Sequence, residues 1–574
     1  MIKRALSVVS GGHIEMRISG PVVGESFVNR RAELAALEEY AVDRQFCCLL
    51  GLRRTGKTSI MLELSRRLRE RPERYVPVYF NIQPAITVPE QFVVAYVGAL
   101  IFGALKEMGI ASSEEGPFYN DLHYVQRKAL AFKSERINDY LLELGGLLSR
   151  RELNYQQLFQ VGFGFAEVLA KALERPLAVF LDEFQEVVQF KAYNMPVLAL
   201  FRGVTQAQTR VWYCLAGSSI TMLNRLINSE GSPLFGQYRT FLIGPFAFDA
   251  TRDLASKIVG HTLPAEFYRQ LYGFTRGYPF YLTIIGTTVR RLLENGMVKA
   301  EDALLLSILE EIYNPVGTVA LHCKEIFSTF LQMATQSTIS RSIMLFLANK
   351  GESASASEVA RKVGRSRDFV RQVLMRLVEV DLLQVTNRRY MITDPILAFW
   401  LAHNYSQFEA DPMKLVAFEE NKERLLTELR SEIAKLRSER GFLYESYVRD
   451  LVMRTFDGRR VRGNILGQEG FVVLPKAERV LNLKLGQDEL DMIIVTETGN
   501  WLVEIKGRRS PAKYTWLRQL QEEKKSTAER EGYEINTLWF ISEGGFSRNA
   551  IRYARRNGIL FTEGGQLSLL ESRN

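Results

Sequence analysis

The residues best suited to chemistry begin at Gly51-Leu52-Arg53-Arg54-Thr55-Gly56-Lys57-Thr58, followed by Ser59. Two glycines bracketing four residues, then a lysine and a hydroxyl, are what a bound triphosphate requires. Backbone N–H groups hold the phosphate oxygens, the lysine ammonium reaches the β and γ oxygens, and the hydroxyl ligates Mg2+. The apolar run from Gln45 to Leu50 and the helical spacing from Ser59 to Leu64 predict a loop joining a strand to a helix. Gly51, Arg53, Arg54, Thr55, Gly56, Lys57, Thr58 and Ser59 are therefore the expected ATP-binding residues. Lys57 is also expected to act on the transferred phosphoryl group and Thr58 on the metal.

A second apolar segment, Leu177-Ala178-Val179-Phe180-Leu181, ends in Asp182-Glu183. Asp182 is expected to serve Mg2+ and Glu183 to orient or activate the attacking water, which points to hydrolysis and not to binding alone. Further strands at 75–80, 211–216 and 240–243, separated by helical stretches, predict a parallel α/β sheet with crossovers. The strand at 211–216 runs into Gly217-Ser218-Ser219, where Ser218 could sense the γ-phosphate between the two nucleotide-handling strands. Alternatively, these serines cap a helix that starts at Ile220.

A second constellation lies far downstream. The helix expected at Gly441–Val448 carries Glu445 on a mostly apolar face, and the segments 489–495 and 501–506 read as a hairpin about Thr496–Asn500. Glu504 and Lys506 are two apart and share a face, with Asp491 across the hairpin. Burying two carboxylates and a lysine among apolar neighbours is costly unless they hold a cation. Asp491 and Glu504 would then hold one or two Mg2+ or Mn2+ ions, with Glu445 completing the shell. Lys506 would orient or deprotonate a water and stabilise phosphorane charge. The alternatives are an ordinary surface ion pair, or Asp488 as the ligand if the register differs.

At 574 residues the chain needs roughly three or four domains. Its net charge of +9 modestly favours an anionic partner such as DNA. Four cysteines form neither a disulfide framework nor a zinc spacing, and the five histidines do not cluster. The longest apolar run, Phe92 to Leu105, is short of the ~18 residues of a membrane span. With no signal core at the start, the expectation is a cytoplasmic protein without a membrane partner. Helices at 340–347, 356–363 and 366–374, broken by Gly364, precede a hairpin about Thr386-Asn387-Arg388. Arg365, Arg367, Arg371, Arg376, Arg388 and Arg389 could form a phosphate-contacting face there, or be solvated arginines on a module that packs elsewhere. Residues 413–440 are read as a helical linker.

The phosphate loop, Phe27–Leu34, Leu181-Asp182-Glu183, Ala216–Ser219 and Ser232-Pro233-Leu234-Phe235-Gly236 resemble the archaeal-type ATPases of the STAND branch of AAA+ proteins, over roughly residues 20–290. Gly277-Tyr278-Pro279 resembles that branch's Gly-x-Pro element, which implies a helical lid whose Pro279 meets nucleotide and a switch between ATP and ADP forms. Arg239 follows the Pro-Leu-Phe-Gly element and is either an arginine finger or a structural residue; relatives often place the arginine where this chain has Gln237. Asp394–Trp400 resembles the end of the winged-helix module of these ATPases, which in relatives often serves autoinhibition or assembly. The order Glu445, Asp491, Glu504-x-Lys506 resembles the PD-(D/E)XK nucleases, and the helix from Trp516 and the strand 538–542 match that layout.

The resemblance implies an αβα ATPase core over 1–249, a lid over 250–335, a winged helix over 336–412, the linker over 413–440 and a restriction-endonuclease-like α/β domain over 441–574. The implied function is ATP control of a Mg-dependent DNA endonuclease in DNA processing, repair or defence, with homo-oligomers expected. The alternative is an ATP/ADP switch whose winged helix and nuclease-like domain only bind DNA or protein.

Overall fold

Five short apolar segments of the first half form one parallel sheet in the computed structural model. The structure describes residues 20–571 apart from 72–73, 86–87, 111–114, 261–262, 297, 299, 334–336, 404–423, 428, 431–447, 449–450, 453–454, 486–487, 508–509 and 531. The strands are β1 (Cys47–Leu50), β2 (Val76–Asn81), β3 (Leu177–Asp182), β4 (Val211–Gly217) and β5 (Arg239–Leu242), in the order β2-β3-β4-β1-β5. Every residue of β1, β3 and β4 is buried, as expected of parallel strands covered on both faces and read as unbroken apolar runs. One face packs on the helices Pro89–Glu107 and Tyr155–Ala172 through Phe80, Phe92, Tyr96 and Phe163. The other packs on Arg31–Val42 and Lys57–Glu70 through Leu34, Leu37, Ile60 and Leu64. Pro77, which cannot donate to a ladder, lies on the edge strand β2. Because β4 lies between β3 and β1, the carboxyl ends of all three strands stand side by side.

Helices at Phe248–Val259, Ala265–Thr275, Pro279–Glu294, Ala300–Ile308 and Thr318–Met333 follow the sheet. Gly277, at φ 78°, is wedged so closely that a Cβ would lie 1.9 Å from the Phe246 carbonyl oxygen. The Phe246 N–H donates to the Gly277 carbonyl at 2.8 Å, strapping the exit from β5 to the turn before Pro279. Among the described residues one stretch, Asp302–Leu331, is long and apolar enough to cross a membrane by length and composition; half of its apolar window is buried, and a turn at Asn314–Gly317 interrupts it.

The next module matches the expected three helices and hairpin: Ser337–Lys350, Ala356–Val363 and Arg367–Glu379, then β7 (Leu383–Thr386) and β8 (Arg389–Ile392). Ser355 and Glu358 form a reciprocal capping box at the start of the second helix. Gly364 ends that helix at φ 66°, and Ser366 caps the third. Asn387 and Arg388 are both left-handed, at φ 52° and 61°, as a two-residue hairpin turn requires. A short strand β6 (Ala354–Ser355), not foreseen from sequence, pairs with β8.

The chain divides into two compact units, Met1–Lys422 and Glu423–Asn574. The second holds a two-stranded ribbon, β9 (Arg460–Arg462) with β10 (Phe471–Val473), and a mixed sheet in the order β11 (Ala477–Leu485), β12 (Asp488–Thr496), β13 (Asn500–Lys506), β14 (Ile535–Ser542) and β15 (Leu560–Glu563). β11, β12 and β13 pair antiparallel, whereas β13, β14 and β15 run parallel. Phe456, Trp501 and Trp539 pack on one face. The helices Tyr514–Gln519, Lys525–Arg530 and Arg548–Arg556 supply buried residues to the other. The linker expected at 413–440 and the helix expected at 441–448 lie largely outside the described residues, and Glu445 entirely so.

Candidate functional site

The phosphate loop is held in shape by its own backbone. A Cβ on Gly51 would stand 2.5 Å from the Ile243 carbonyl oxygen, so only glycine lets β1 exit beside β5. The Thr55 hydroxyl donates to the Leu52 carbonyl at 2.9 Å, and Lys57 Nζ donates to the carbonyls of Gly51 and Leu52, both at 2.8 Å. Gly56, left-handed at φ 94°, turns the chain into the helix Lys57–Glu70 and has open space where a Cβ would point. The open space beside Gly56, at the positive end of that helix, suits an anion.

Across that opening the Thr58 hydroxyl donates to Asp182 Oδ2 at 2.6 Å, and Tyr79 donates to the same oxygen at 2.9 Å. Thr58 and Asp182, far apart in sequence, thus meet as two hard oxygen donors of the kind Mg2+ takes. Glu183 is left-handed at φ 55°, and its Oε2 accepts from Ser218 Oγ at 2.7 Å, Ser218 N at 3.2 Å and Gln185 Nε2 at 2.6 Å. Ser218 therefore holds Glu183 in place, while Ser219 is the backbone N-cap of the helix Ile220–Asn228 without a side-chain capping bond. Burial lowers the Lys57 amine to about 8 against the opposing pull of Glu183 and Asp182. Burial alone would raise the Glu183 carboxyl, but hydrogen bonds from Ser218 and Gln185 and the charge of Lys57 together hold it below its ordinary value.

Several residues at this site had no stated role in the sequence reading. Arg30, buried and left-handed at φ 64°, reaches the Thr55 carbonyl at 3.5 Å and hydrogen-bonds the Gly244 carbonyl, with its guanidinium 4.9 Å from the Phe246 ring centre. It ties the phosphate loop to the chain leaving β5. Asp381, left-handed at φ 58° after the helix Arg367–Glu379, accepts from the Thr221 N–H at 3.2 Å and the Thr221 hydroxyl at 2.8 Å. A carboxylate from the three-stranded module thus caps the helix that follows Ser219, and its charge acts on Lys57. Neither residue carries a periodic signal; both are defined by contacts between distant segments.

Pro279 opens the helix Pro279–Glu294, and the next residue, Phe280, packs under Arg54 of the phosphate loop with the guanidinium 4.2 Å from its ring centre. His322 meets the Phe280 ring edge-on, with ring centres 4.8 Å apart, and burial, then the charges of Arg54 and Arg53, lower its pKa to about 4. A histidine whose folded value lies below its ordinary 6.5 takes up a proton more readily when unfolded. Stability is thus full above pH 6.5 and falls as pH drops toward 4, by about 2 kcal/mol at pH 5. His322→Phe is expected to remove that part of the acid lability, seen as a smaller Tm difference between pH 7.5 and pH 5 than in the wild type.

Arg239 is exposed at the opening end of β5, opposite Cys47, and bonds Gln45 Oε1 at 3.2 Å; within its own chain it stands at the end of β1 away from the phosphate loop. Of the arginines proposed for a phosphate-contacting face, Arg365, Arg367, Arg371, Arg376 and Arg388 are exposed. Arg389, also exposed, bonds Ser353 Oγ at 3.0 Å and pairs with Glu358 at 3.4 Å, fastening the hairpin to the capping box.

In the second unit the pairing of Met492 with Val503 places Asp491 at the next position opposite Glu504. Both are buried, at 6% and 4% exposure. Asp491 Oδ2 accepts from the Ile505 N–H at 2.8 Å. Glu504 lies between two lysines, Lys506 on Oε1 and Lys524 on Oε2, each at 2.5 Å. Burial and the charge of Glu504 raise the Asp491 carboxyl to about 6, against the opposing effect of Lys506 and Lys524. Lys524 was not foreseen: it ends a π-helical turn, Leu520–Lys524, that carries it back over the sheet. Two buried carboxylates facing each other across a hairpin are a donor set suited to a hard divalent cation. Among the described residues no group of three or more His, Cys, Asp or Glu is placed so as to hold a metal ion. Asp491, Glu504 and Lys506 come together as expected, and Asp488 opens β12.

No family model matches the chain. The uncharacterized protein MJECL04 of Methanocaldococcus jannaschii is 30% identical over 108 residues, 18% of this chain, which spans 23% of that relative's length. Similar solved structures include the Walker-type ATPase PABY2304 of Pyrococcus abyssi, with 20% identity, TM-score 0.48 and coverage of 67% of this chain and 99% of that one. The ORC2 protein of Aeropyrum pernix in ADPNP–ADP complexes has 12% identity, TM-score 0.43 and coverage of 71% and 98%. Cdc6p of Pyrobaculum aerophilum has 13% identity, TM-score 0.31 and coverage of 71% and 97%. At TM-scores below 0.5 these similarities leave the function to be argued from the sites.

Proposed function

We propose that the first unit binds and hydrolyses ATP and that this controls a metal-dependent DNA endonuclease centre in the second. The observation that carries the reading is the Thr58–Asp182 hydrogen bond beside a Glu183 held in place by Ser218. The loop amides and Lys57 hold the β and γ phosphates, and Arg54 on Phe280 links that loop to the lid. Mg2+ held at Thr58 and Asp182 would neutralise phosphate charge as the bond between the γ phosphorus and the bridging oxygen breaks. Glu183 aligns the attacking water and draws its proton, giving ADP and phosphate.

In the second unit, a divalent cation held by Asp491 and Glu504 would polarise the scissile phosphate. Lys506 aligns the attacking water, and both lysines offset the charge that builds on the phosphoryl oxygens. Assays of ATP turnover and of plasmid nicking by the full chain test the two halves separately: hydrolysis without metal-dependent nicking leaves only the ATPase.

A second reading, an ATP/ADP switch acting through a partner-binding module, is favoured by the contact of Asp381 with Thr221. A carboxylate near Lys57 opposes an incoming γ-phosphate. Asp381→Ala is expected to tighten ATP binding several-fold in a fluorescent-nucleotide titration and to lower Tm, because the cap on the helix Ile220–Asn228 is lost at a cost of about 1 kcal/mol. Unchanged affinity would separate the module from the nucleotide site.

A further inference from the structure

The helix Arg548–Arg556 carries four arginines and no acidic residue, and residues 544–562 contain no Asp or Glu. Arg548, Arg552, Arg555 and Arg556 fall at i, i+4, i+7 and i+8, one face of an α-helix. All four are exposed, whereas Ala550 and Ala554 on the opposite face are fully buried against the sheet. Among the described residues none of the four makes a side-chain hydrogen bond or ion pair, unlike Arg518 on the neighbouring helix, which pairs with Glu522 at 2.8 Å. Like charges one turn apart weaken a helix, and Arg548 sits in the first turn, where the helix dipole disfavours a cation. Arg555 and Arg556 lie in the last turn, where the dipole favours a cation, so what marks the stripe is its exposed charge of one sign without an acidic partner, as on a surface that meets an anion.

Its position says which anion. β14 runs parallel beside β13 with Ser542 opposite Lys506, and the Glu543 N–H donates to the Lys506 carbonyl at 3.0 Å. Arg548 therefore follows closely on the sheet end that carries Glu504 and Lys506. The helix packs beside Tyr514–Gln519, where Lys513 is exposed and the Tyr514 ring, 47% exposed, lies 6.4 Å from that of Tyr553. From Arg548 to Arg556 the stripe spans about 12 Å, room for about three successive phosphates of one strand. Guanidinium groups suit phosphate because they bind its oxygens bidentately.

We propose that this arginine face is the track along which a nucleic-acid backbone is held as it meets the Asp491–Glu504–Lys506 cluster. The proposal rests on the nuclease reading for the choice of ligand, but binding is measured apart from cleavage. The full chain is titrated with fluorescein-labelled duplex DNA in EDTA, over a salt series, as wild type and as Arg552→Ala/Arg555→Ala/Arg556→Ala. Exposed alanines favour the helix, so the triple variant should keep the wild-type Tm.

The triple variant is expected to bind at least tenfold more weakly, with the slope of log K against log salt shallower by about 2–3. An unchanged affinity and slope in the triple variant would overturn the proposal, even if the wild type cleaves DNA. If instead the arginine variant loses affinity and slope while the wild type never cleaves with Mg2+ or Mn2+, the track stands and the nuclease reading falls.

Discussion

Glu183→Gln is expected to leave ATP binding intact and to lower turnover by about 10²–10⁴-fold, the usual worth of a positioned general base. The argument is geometric. Glu183 Oε2 is fixed by Ser218 Oγ, Ser218 N and Gln185 Nε2, so the side chain is aimed before ATP arrives. Glutamine retains the length and an acceptor oxygen but loses the charge that draws the water's proton. Thr58, Asp182 and Lys57 are untouched, and loss of the Glu183 charge, which acts on Lys57 more strongly than that of Asp381, should keep nucleotide binding at least as tight as in the wild type. Phosphate release and fluorescent-nucleotide binding measured on the same preparation separate the two effects. Equal turnover in variant and wild type would remove Glu183 from the reaction.

Asp491→Asn is expected to act in opposite directions on cleavage and stability. Loss of a carboxylate ligand should reduce metal-dependent cleavage by about 10³-fold or more, given the several kcal/mol of charge stabilisation a catalytic metal supplies. In metal-free buffer, however, the folded Asp491 carboxyl sits at about 6 against an ordinary 3.8. The protein therefore loses stability as pH rises from about 4 through 6, and the ionised form is carried as a penalty at pH 7. The asparagine variant is free of that penalty, which is on the order of 2–3 kcal/mol before the pairing with Glu504 is considered. It can still accept the Ile505 N–H. Its Tm in EDTA at pH 7 should exceed that of the wild type, with the difference vanishing near pH 4. A lower Tm at pH 7 would mean that Asp491 is a structural acceptor and not half of a strained acidic pair.

What was legible in the sequence follows the physics of each feature. The strand-loop-helix around Lys57 and the strand ending in Asp182 stand out because buried parallel strands are unbroken apolar runs between punctuating residues. The hairpin that joins Asp491 to Glu504 is just as plain, since both strands and their turn are local. The apolar run within Pro89–Glu107 is short for a membrane span and proves to be a helix buried against the sheet.

Long-range contacts were not legible. Lys524 reaches Glu504 through a π-helical turn that no periodicity announces. Arg30 and Asp381 act on the phosphate loop and the helix after Ser219 from remote segments. β11 escaped notice because charged and polar residues interrupt its apolar ones. Nothing in the sequence announces the pairing of Arg389 with Glu358, which is 31 residues away.

The most direct measurement is nicking of supercoiled plasmid by the full chain with Mg2+ or Mn2+, with and without ATP, comparing wild type, Lys57→Ala and Asp491→Ala. The account predicts metal-dependent nicking whose rate changes with ATP in the wild type, loses its ATP dependence in Lys57→Ala and disappears in Asp491→Ala. Absence of metal-dependent nicking by the wild type, or nicking undiminished in Asp491→Ala, would contradict it.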